Sequence, residues 1–555
     1  MEKIWLKNYP IGVPETIDAS HSGTLVDVLL DACRRYADRI AFQSEFGSLS
    51  YAELEEKSLA FATFLQQEWG LKKGERFGIM LPNVLAYPIA FLGILRAGLI
   101  IVNINPMYTP RELAHELKDA GCQHLLVLDI FSKTVSDSWQ EANIEKVMVA
   151  HVGDFIAPWK ASFLQFILKY IQRKLPEVHL PNSIDFNEAL EKVKGKVLDP
   201  VRIDKEDVAL LQYTGGTTGV AKGAELTHYN LLSNLFQVEA WLRPALMAHD
   251  FNAQLVIVTA LPLYHIFSLL ANALLFMYQG GKNLTILNPR DFKKFVKRLQ
   301  KEKFHAITGV NSLYNALLDT PGFEKIDFSH LLFSIGGGTA IQEEVAKRWA
   351  DKTGNALLSG YGLTETSPVV TVTPLTAKEY MASVGLAVPS TELSIRDPQG
   401  AELPLGEEGE LCVRGPQVMR GYWRNEAETR LVFWPDEWLR TGDIAKIDKE
   451  GYVYLLDRSK DMILVSGFNV YPNEVEAVLA MHPGILESGV IGVPSQESGE
   501  QVKAFIVKRD PHLTKESVME HCRKNLTGYK RPKIIEFCEA LPKTAVGKIL
   551  RKDLR

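Results

Sequence analysis

Residues 208–223 read VALLQYTGGTTGVAKG, an apolar strand-like run followed at once by glycines, threonines and a lysine. Glycines let backbone N–H groups approach an anion with no Cβ in the way, threonine hydroxyls add donors, and Lys222 supplies a point charge. With a helical segment beginning near Thr227, this is the chemistry of a loop that cradles phosphate. The pattern is not a Walker A loop, because two residues separate Gly219 from Lys222 and a glycine follows the lysine. Taken alone, the loop reads equally as a flexible surface turn, so its surroundings decide.

Outward from that loop, short β-branched runs alternate with amphipathic segments from about residue 50, the pattern of layered α/β domains with largely parallel sheets. Strands are predicted at 76–81, 99–103, 124–129, 208–213, 255–261 and 331–335. A helix is predicted to start at Asn288-Pro289, which places Phe292, Phe295, Val296 and Leu299 on one face. Near 385–455 short strands punctuated by Gly and Pro predict a compact β subdomain. Beyond residue 460 the order helix, strand, strand, helix, strand predicts a small α+β domain. The fold class is therefore α/β: a large N-terminal domain of several subdomains over 1–459, and a small C-terminal domain over 460–555.

Composition sets the bounds. The chain has 555 residues, 46% hydrophobic and 23% charged, with a net charge of -5. That is room for several structural units, and the bulk charge argues against a nucleic-acid binder. The five cysteines are scattered, without metal-ligand spacing, and read as buried thiols in a reducing cytoplasm. The opening MEKIWLKNYP carries no long apolar region and no cleavage pattern, which predicts a protein retained inside the cell. Residues 86–104 and 256–278 are apolar but broken by Pro, Gly, Arg or His, and each reads as a strand and a helix, not a membrane span.

Further motifs join the phosphate loop. SIGGGTA (334–340) follows a strand and precedes a helix, the place where α/β folds bind ligands. GYGLTET (360–366) sets Tyr361, an aromatic ring able to stack on a base, beside Glu365, a hard-oxygen ligand suited to magnesium. Asp443 in WLRTGDIAKID (438–448) and Arg458 in DRSKDMI (457–463) form a pair able to hydrogen-bond vicinal ribose hydroxyls. LPKTAVGKILRK (541–552) presents Lys548. Each has a bland reading as a turn, a solvated carboxylate or surface charge, and only their joint order is informative.

In that order the motifs resemble those of the adenylate-forming superfamily, from about residue 25 to the end. Within it the segment 436–460 resembles the fatty-acyl-CoA synthetase signature, and the whole chain most closely resembles bacterial long-chain fatty-acid CoA ligases. It departs from the usual signature at Asp436-Glu437, where Asn-Gly is common, and at Arg440, where His is common, which puts acyl-chain preference in question.

The resemblance implies a reaction in two halves, adenylation of a fatty acid by ATP and transfer to CoA, and it implies the site residues. Thr214, Gly215, Gly216, Thr217, Thr218, Gly219 and Lys222 would hold the β and γ phosphates, with Thr214 and Glu365 beside Mg2+. Gly336, Gly337, Gly338 and Tyr361 would frame adenine, and Gly362 and Thr364 complete the ATP set. Asp443 and Arg458 would grip the ribose. Lys548 would bridge the carboxylate and the α-phosphate, and Lys460 would be the hinge of a mobile small domain. Tyr264, His265 and Phe267 in LPLYHIFSL (261–269), with Gly467, would line the acyl and CoA channel.

Residues 158–175, PWKASFLQFILKYIQRKL, are basic, aromatic and amphipathic. They predict peripheral contact with the inner face of a membrane, or else packing on the chain's own domain or on a second copy in a homodimer.

Overall fold

The computed structural model describes residues 2–156, 175, 176, 178, 180–214, 221–247, 254–466, 468–495, 498–544 and 547–555. Two predominantly parallel sheets form the large lobe. The first has seven strands in the order Ser183–Asp185, Lys146–Ala150, His124–Leu128, Arg76–Met80, Ile100–Asn103, Val208–Thr214 and Lys222–Thr227. All its neighbours are parallel except the last pair. Strands buried on both faces become continuous apolar runs, and all four residues of Ile100–Asn103 are buried.

The second sheet has nine strands. Its parallel centre runs Leu357–Gly362, Phe333–Gly336, Ala306–Gly309, Val256–Thr259, Lys282–Thr285 and Ile40–Gln43. Antiparallel strands close both ends. Helices begin where local chemistry dictates. Thr24, Ser50 and Thr109 each form a capping box with an acidic residue three positions on, and Pro110 occupies the first turn of its helix.

One boundary differs from expectation, and one strand was not expected. The helix predicted from Asn288-Pro289 runs Phe292–Leu299, because the Asp291 carboxylate accepts the Lys294 N–H and so caps it three residues later. Phe295, Val296 and Leu299 still form its buried face, with Phe292 half-buried. The helix expected near Thr227 begins at His228, but a strand not expected from sequence precedes it. Residues 222–227 form a strand antiparallel to Val208–Thr214, and the helix His228–Met247 follows.

Residues 86–104 fold as the helix Ala86–Arg96 and the strand Ile100–Asn103. Residues 256–278 open with the strand Val256–Thr259 and end in helical turns from Ile266 to Tyr278, including a π-helical stretch Leu269–Leu274. No helix among the described residues is long and apolar enough to cross a membrane. Four of the cysteines are buried, Cys538 is half-buried, and all five are free thiols.

The β subdomain is a four-stranded antiparallel sheet, Glu392–Arg396, Gly409–Arg414, Leu439–Ile447 and Val453–Arg458. After a turn at 459–462, the described residues of 463–555 build the small lobe. It is a five-stranded sheet with the helices Pro472–Ala480 and Lys515–Asn525.

Candidate active site

The strand ends of both lobes converge on one cleft of about 520 Å³. Gly336, Gly338, Tyr361, Gly362, Asp443 and Arg458 line its large-lobe wall, and Lys460 and Lys548 also border it. Gly338 has φ +74, a conformation that favours glycine, and a Cβ there would only touch Val310 at 3.8 Å. Gly362 is a packing requirement, since a Cβ there would sit 1.9 Å from the Pro368 carbonyl.

Asp443 and Arg458 are cross-strand partners, so register alone sets them side by side. Arg458 Nε lies 3.1 Å from Asp443 Oδ1, and the buried Tyr361 hydroxyl donates to Oδ2 at 2.7 Å. Burial and the Asp443 charge push the Tyr361 phenol far above its usual value, so it stays a donor. The Asp443 carboxylate keeps further lone pairs for a ligand's hydroxyls.

Lys548 reaches the same place from the small lobe. Burial first, then the cations Arg458 and Arg551, push its ammonium down to about 8, with Asp443 and Asp461 opposing the shift. Its charge extends to His265, which burial and then Lys548 push down to about 4. The neutral His265 ring accepts the Phe267 N–H at Nδ1, 3.3 Å away, which leaves Nε2 to carry the proton.

Tyr264 and His265 are held by a chain of buried side chains. The Gln212 amide donates to the Tyr264 carbonyl at 3.0 Å and accepts from Asn103 at 3.2 Å. The Tyr87 hydroxyl donates to Asn103 at 2.9 Å and to the Leu263 carbonyl at 2.8 Å. Two residues beyond Gln212 lies Thr214, so one network links the strand Val208–Thr214 to the 261–265 segment. The Phe267 ring packs on Gly337, where a Cβ would meet it at 3.1 Å.

Thr214 and Lys222 are paired across the hairpin, bracketing Gly215, Gly216, Thr217, Thr218 and Gly219, which lie outside the described residues, as do Gly467 and nearly all of 158–175. The short turn Thr364–Thr366 packs against both hairpin strands. Its Glu365 accepts the Tyr422 hydroxyl at 2.7 Å. Lys222 lies 5.0 Å from the Tyr422 ring centroid and pairs with Glu428. A carboxylate and a hydroxyl are hard oxygen donors that fit Mg2+, a cation that keeps waters and is commonly shared with substrate phosphates. No group of three or more His, Cys, Asp or Glu able to hold a metal ion occurs among the described residues.

A family model described as AMP-binding enzyme matches residues 29–423, and one described as AMP-binding enzyme C-terminal domain matches 474–548. The chain belongs to the AMP-binding enzyme family. A long-chain-fatty-acid–CoA ligase of Yersinia pestis is 50% identical over 557 residues, covering 100% of this chain and 98% of that one. One from Bacillus subtilis is 35% identical over 561 residues, with the same coverage. Among solved structures, the anthranilate CoA ligase AuaEII in complex with anthranoyl-AMP matches with TM-score 0.83 at 25% identity, covering 98% of this chain and 97% of that one. ATP-bound MatB from Rhodopseudomonas palustris matches with TM-score 0.79 at 28% identity, covering 95% and 98%.

Asp443, Arg458 and Lys460 fall between the two matched stretches of the family, on the β subdomain and the turn that leaves it. Two side chains of the site were not singled out from sequence. Tyr422 stands in the MRGYW run (419–423), where an aromatic after a glycine was the available signal. Its partner Glu365 is 57 positions away. Arg551 stands three positions after Lys548, in a run that reads as surface charge.

Proposed function

We propose that this member of the family is an ATP-dependent long-chain-fatty-acid–CoA ligase. A fatty-acid carboxylate oxygen bonds to the α-phosphorus of ATP as pyrophosphate leaves, giving the acyl-adenylate. The CoA thiol gives up its proton to solvent, its sulfur bonds to the carbonyl carbon, and AMP leaves with the electron pair of the broken C–O bond. In-line phosphoryl transfer chiefly needs positioning and charge stabilisation. The observation that supports the chemistry best is that Lys548, Asp443 and Arg458 border one cleft, with Asp443 and Arg458 paired at 3.1 Å. The identity to curated ligases supports the choice of acid and thiol.

In this reading Lys548 bridges the carboxylate and the α-phosphate, while Asp443 and Arg458 hold the ribose and Tyr361 orients Asp443. Gly336, Gly337, Gly338, Gly362 and Thr364 shape the adenine and phosphate wall. Thr214 through Lys222 bind the β and γ phosphates. Thr214 and Glu365 would hold Mg2+, which supplies charge neutralisation on the phosphates. Tyr264, His265 and Phe267 border the acyl entrance, and an apolar channel beyond it gains about 0.8 kcal/mol per buried methylene. Lys460 is the pivot between the domains 1–459 and 460–555.

The deciding experiment incubates the protein with ATP, Mg2+ and fatty acids of graded length, with and without CoA, and identifies products by mass spectrometry. Long-chain acyl-CoA and AMP formed only with CoA is the expected result. Acyl-adenylate that ignores CoA would redirect the reading to transfer onto a carrier protein, and no nucleotide turnover would end it. The same reading places the enzyme in the cytoplasm with 158–175 at the membrane surface, and absence of binding to anionic liposomes would remove that part.

A further inference from the structure

Lys548 sits on a loop that closes on itself. The Leu550 N–H donates to the Pro542 carbonyl at 2.8 Å, the Thr544 N–H to the Lys548 carbonyl at 2.7 Å, and the Lys548 N–H to the Thr544 hydroxyl at 3.1 Å. Such a loop holds its own shape but does not aim its lysine at the large lobe. Lys543 of the loop pairs with Glu487 at 2.6 Å, and two further attachments flank the lysine itself. One residue before it, Gly547 adopts φ +86 and seats its backbone on Ser312, where a Cβ would lie 2.9 Å from the hydroxyl.

Three residues after it, Arg551 enters an acidic nest built from three parts of the chain. Nη1 lies 2.9 Å from Asp457 Oδ1, on the last strand of the β subdomain. Nη2 donates to Asn473 Oδ1 at 2.6 Å and lies 3.0 Å from both oxygens of Glu476, on the first helix of the small lobe. Asp461 of the connecting turn lies 3.6 Å away. Asp457 is itself 1% exposed at its side chain and also accepts the Asn473 N–H at 2.8 Å. A planar five-donor fork bridges several acceptors at fixed angles, which a lysine cannot reproduce.

We propose that Arg551 is the positioning residue for Lys548, fixing the lysine loop to the Val453–Arg458 strand so that the ammonium meets the reacting carboxylate and phosphate. The inference rests on the proposed role of Lys548. Arg551 touches no substrate in this scheme. It acts through geometry, and through its charge, which together with Arg458, Asp443, Asp461 and the facing His265 sets the field at the lysine.

The test compares Arg551→Met, Arg551→Lys and Lys548→Ala in the full-length protein. Adenylate formation is followed by pyrophosphate release, and thioester formation from supplied acyl-adenylate is measured separately. A displacement of about 1 Å at a reacting group costs on the order of 100-fold. Arg551→Met is therefore expected to slow adenylate formation by about that factor, with the KM for ATP and the thioester half little changed. Arg551→Lys, which keeps the cation without the fork, should recover only part of the rate. The pH at which adenylate formation declines should move upward in Arg551→Met and stay in place in Arg551→Lys. Asp457→Asn should slow the same half-reaction and add little to Arg551→Met, as expected for one shared contact.

Equal loss in both halves would overturn the proposal, since mere instability acts on both. Normal adenylation by Arg551→Met, with Lys548→Ala inactive, would overturn it while sparing the role of the lysine. Normal adenylation by Lys548→Ala would instead remove that role, and this inference with it.

Discussion

Asp443 and Lys548 face the same cleft but are fixed by different means. Asp443 stands on a strand whose register places it opposite Arg458, and a buried phenol from a second sheet holds its other oxygen. Lys548 stands on a small loop held by side-chain contacts, among them Ser312 on one side, the Arg551 nest on the other and the Lys543–Glu487 pair within it. A backbone ladder survives the loss of any one side chain, whereas a side-chain anchor does not. The large-lobe wall is thus a standing feature, and the position of the lysine is conditional.

The most severe way to break this comparison is Lys548→Ala. Removing a group that stabilises developing charge costs about 10²–10³-fold, so adenylate formation should fall by about that much and thioester formation from supplied acyl-adenylate should persist. In the proposed role the charged ammonium is the active form, and its value is pushed down to about 8. Adenylate formation should then be full below that pH and decline as pH rises through it, whereas the residual activity of Lys548→Ala should be flat across the window. A pH profile shared by the two proteins would contradict the assignment.

Asp443→Asn tests the standing side. It keeps the shape and the neighbours but removes the charge paired with Arg458. Binding, not the chemical step, should suffer: a KM for ATP raised about tenfold corresponds to ~1.4 kcal/mol. A larger loss in kcat than in KM would mean that Asp443 takes part in the reaction itself.

The contrast follows what could be read from sequence. Parallel strands such as Ile100–Asn103 and Val256–Thr259 are buried on both faces, so their apolar runs announced them. Lys222–Thr227 reads KGAELT, with one β-branched residue, and its strand is imposed by pairing with its neighbour and with Tyr422. The glycine turns, Asp443, Arg458 and Lys548 were legible because their order along the chain is distinctive. Tyr422 and Arg551 were not, since their partners lie 57 and up to 94 positions away and nothing local marks them.

Tyr422→Phe sharpens the comparison at its middle. It deletes only the hydroxyl donated to Glu365, a bond to a charged group worth roughly 1.5–3 kcal/mol. If Glu365 helps to hold the metal, the Mg2+ concentration for half-maximal activity should shift by about tenfold or more, while the KM for the fatty acid stays put. An unchanged Mg2+ dependence would place the cation elsewhere.

The smallest effect expected is at Glu437, where the chain departs from the usual signature of its relatives. The departures have structural partners within the β subdomain. Asp436 makes a bidentate pair with Arg396 at 3.0 and 2.7 Å. Arg440 pairs with Glu410 at 2.9 Å and lies 4.5 Å from the Trp434 ring centroid. Glu437 itself is exposed in a tight turn with φ +66, the left-handed region where a side chain costs about 1–2 kcal/mol. Glycine removes that cost but gives back about 0.5–1 kcal/mol through the entropy of the unfolded chain. Glu437→Gly should therefore raise the melting temperature slightly and leave the chain-length profile of the reaction unchanged. A shifted profile would tie this turn to the acyl site, and a lowered melting temperature would show that the glutamate has a stabilising partner in solution.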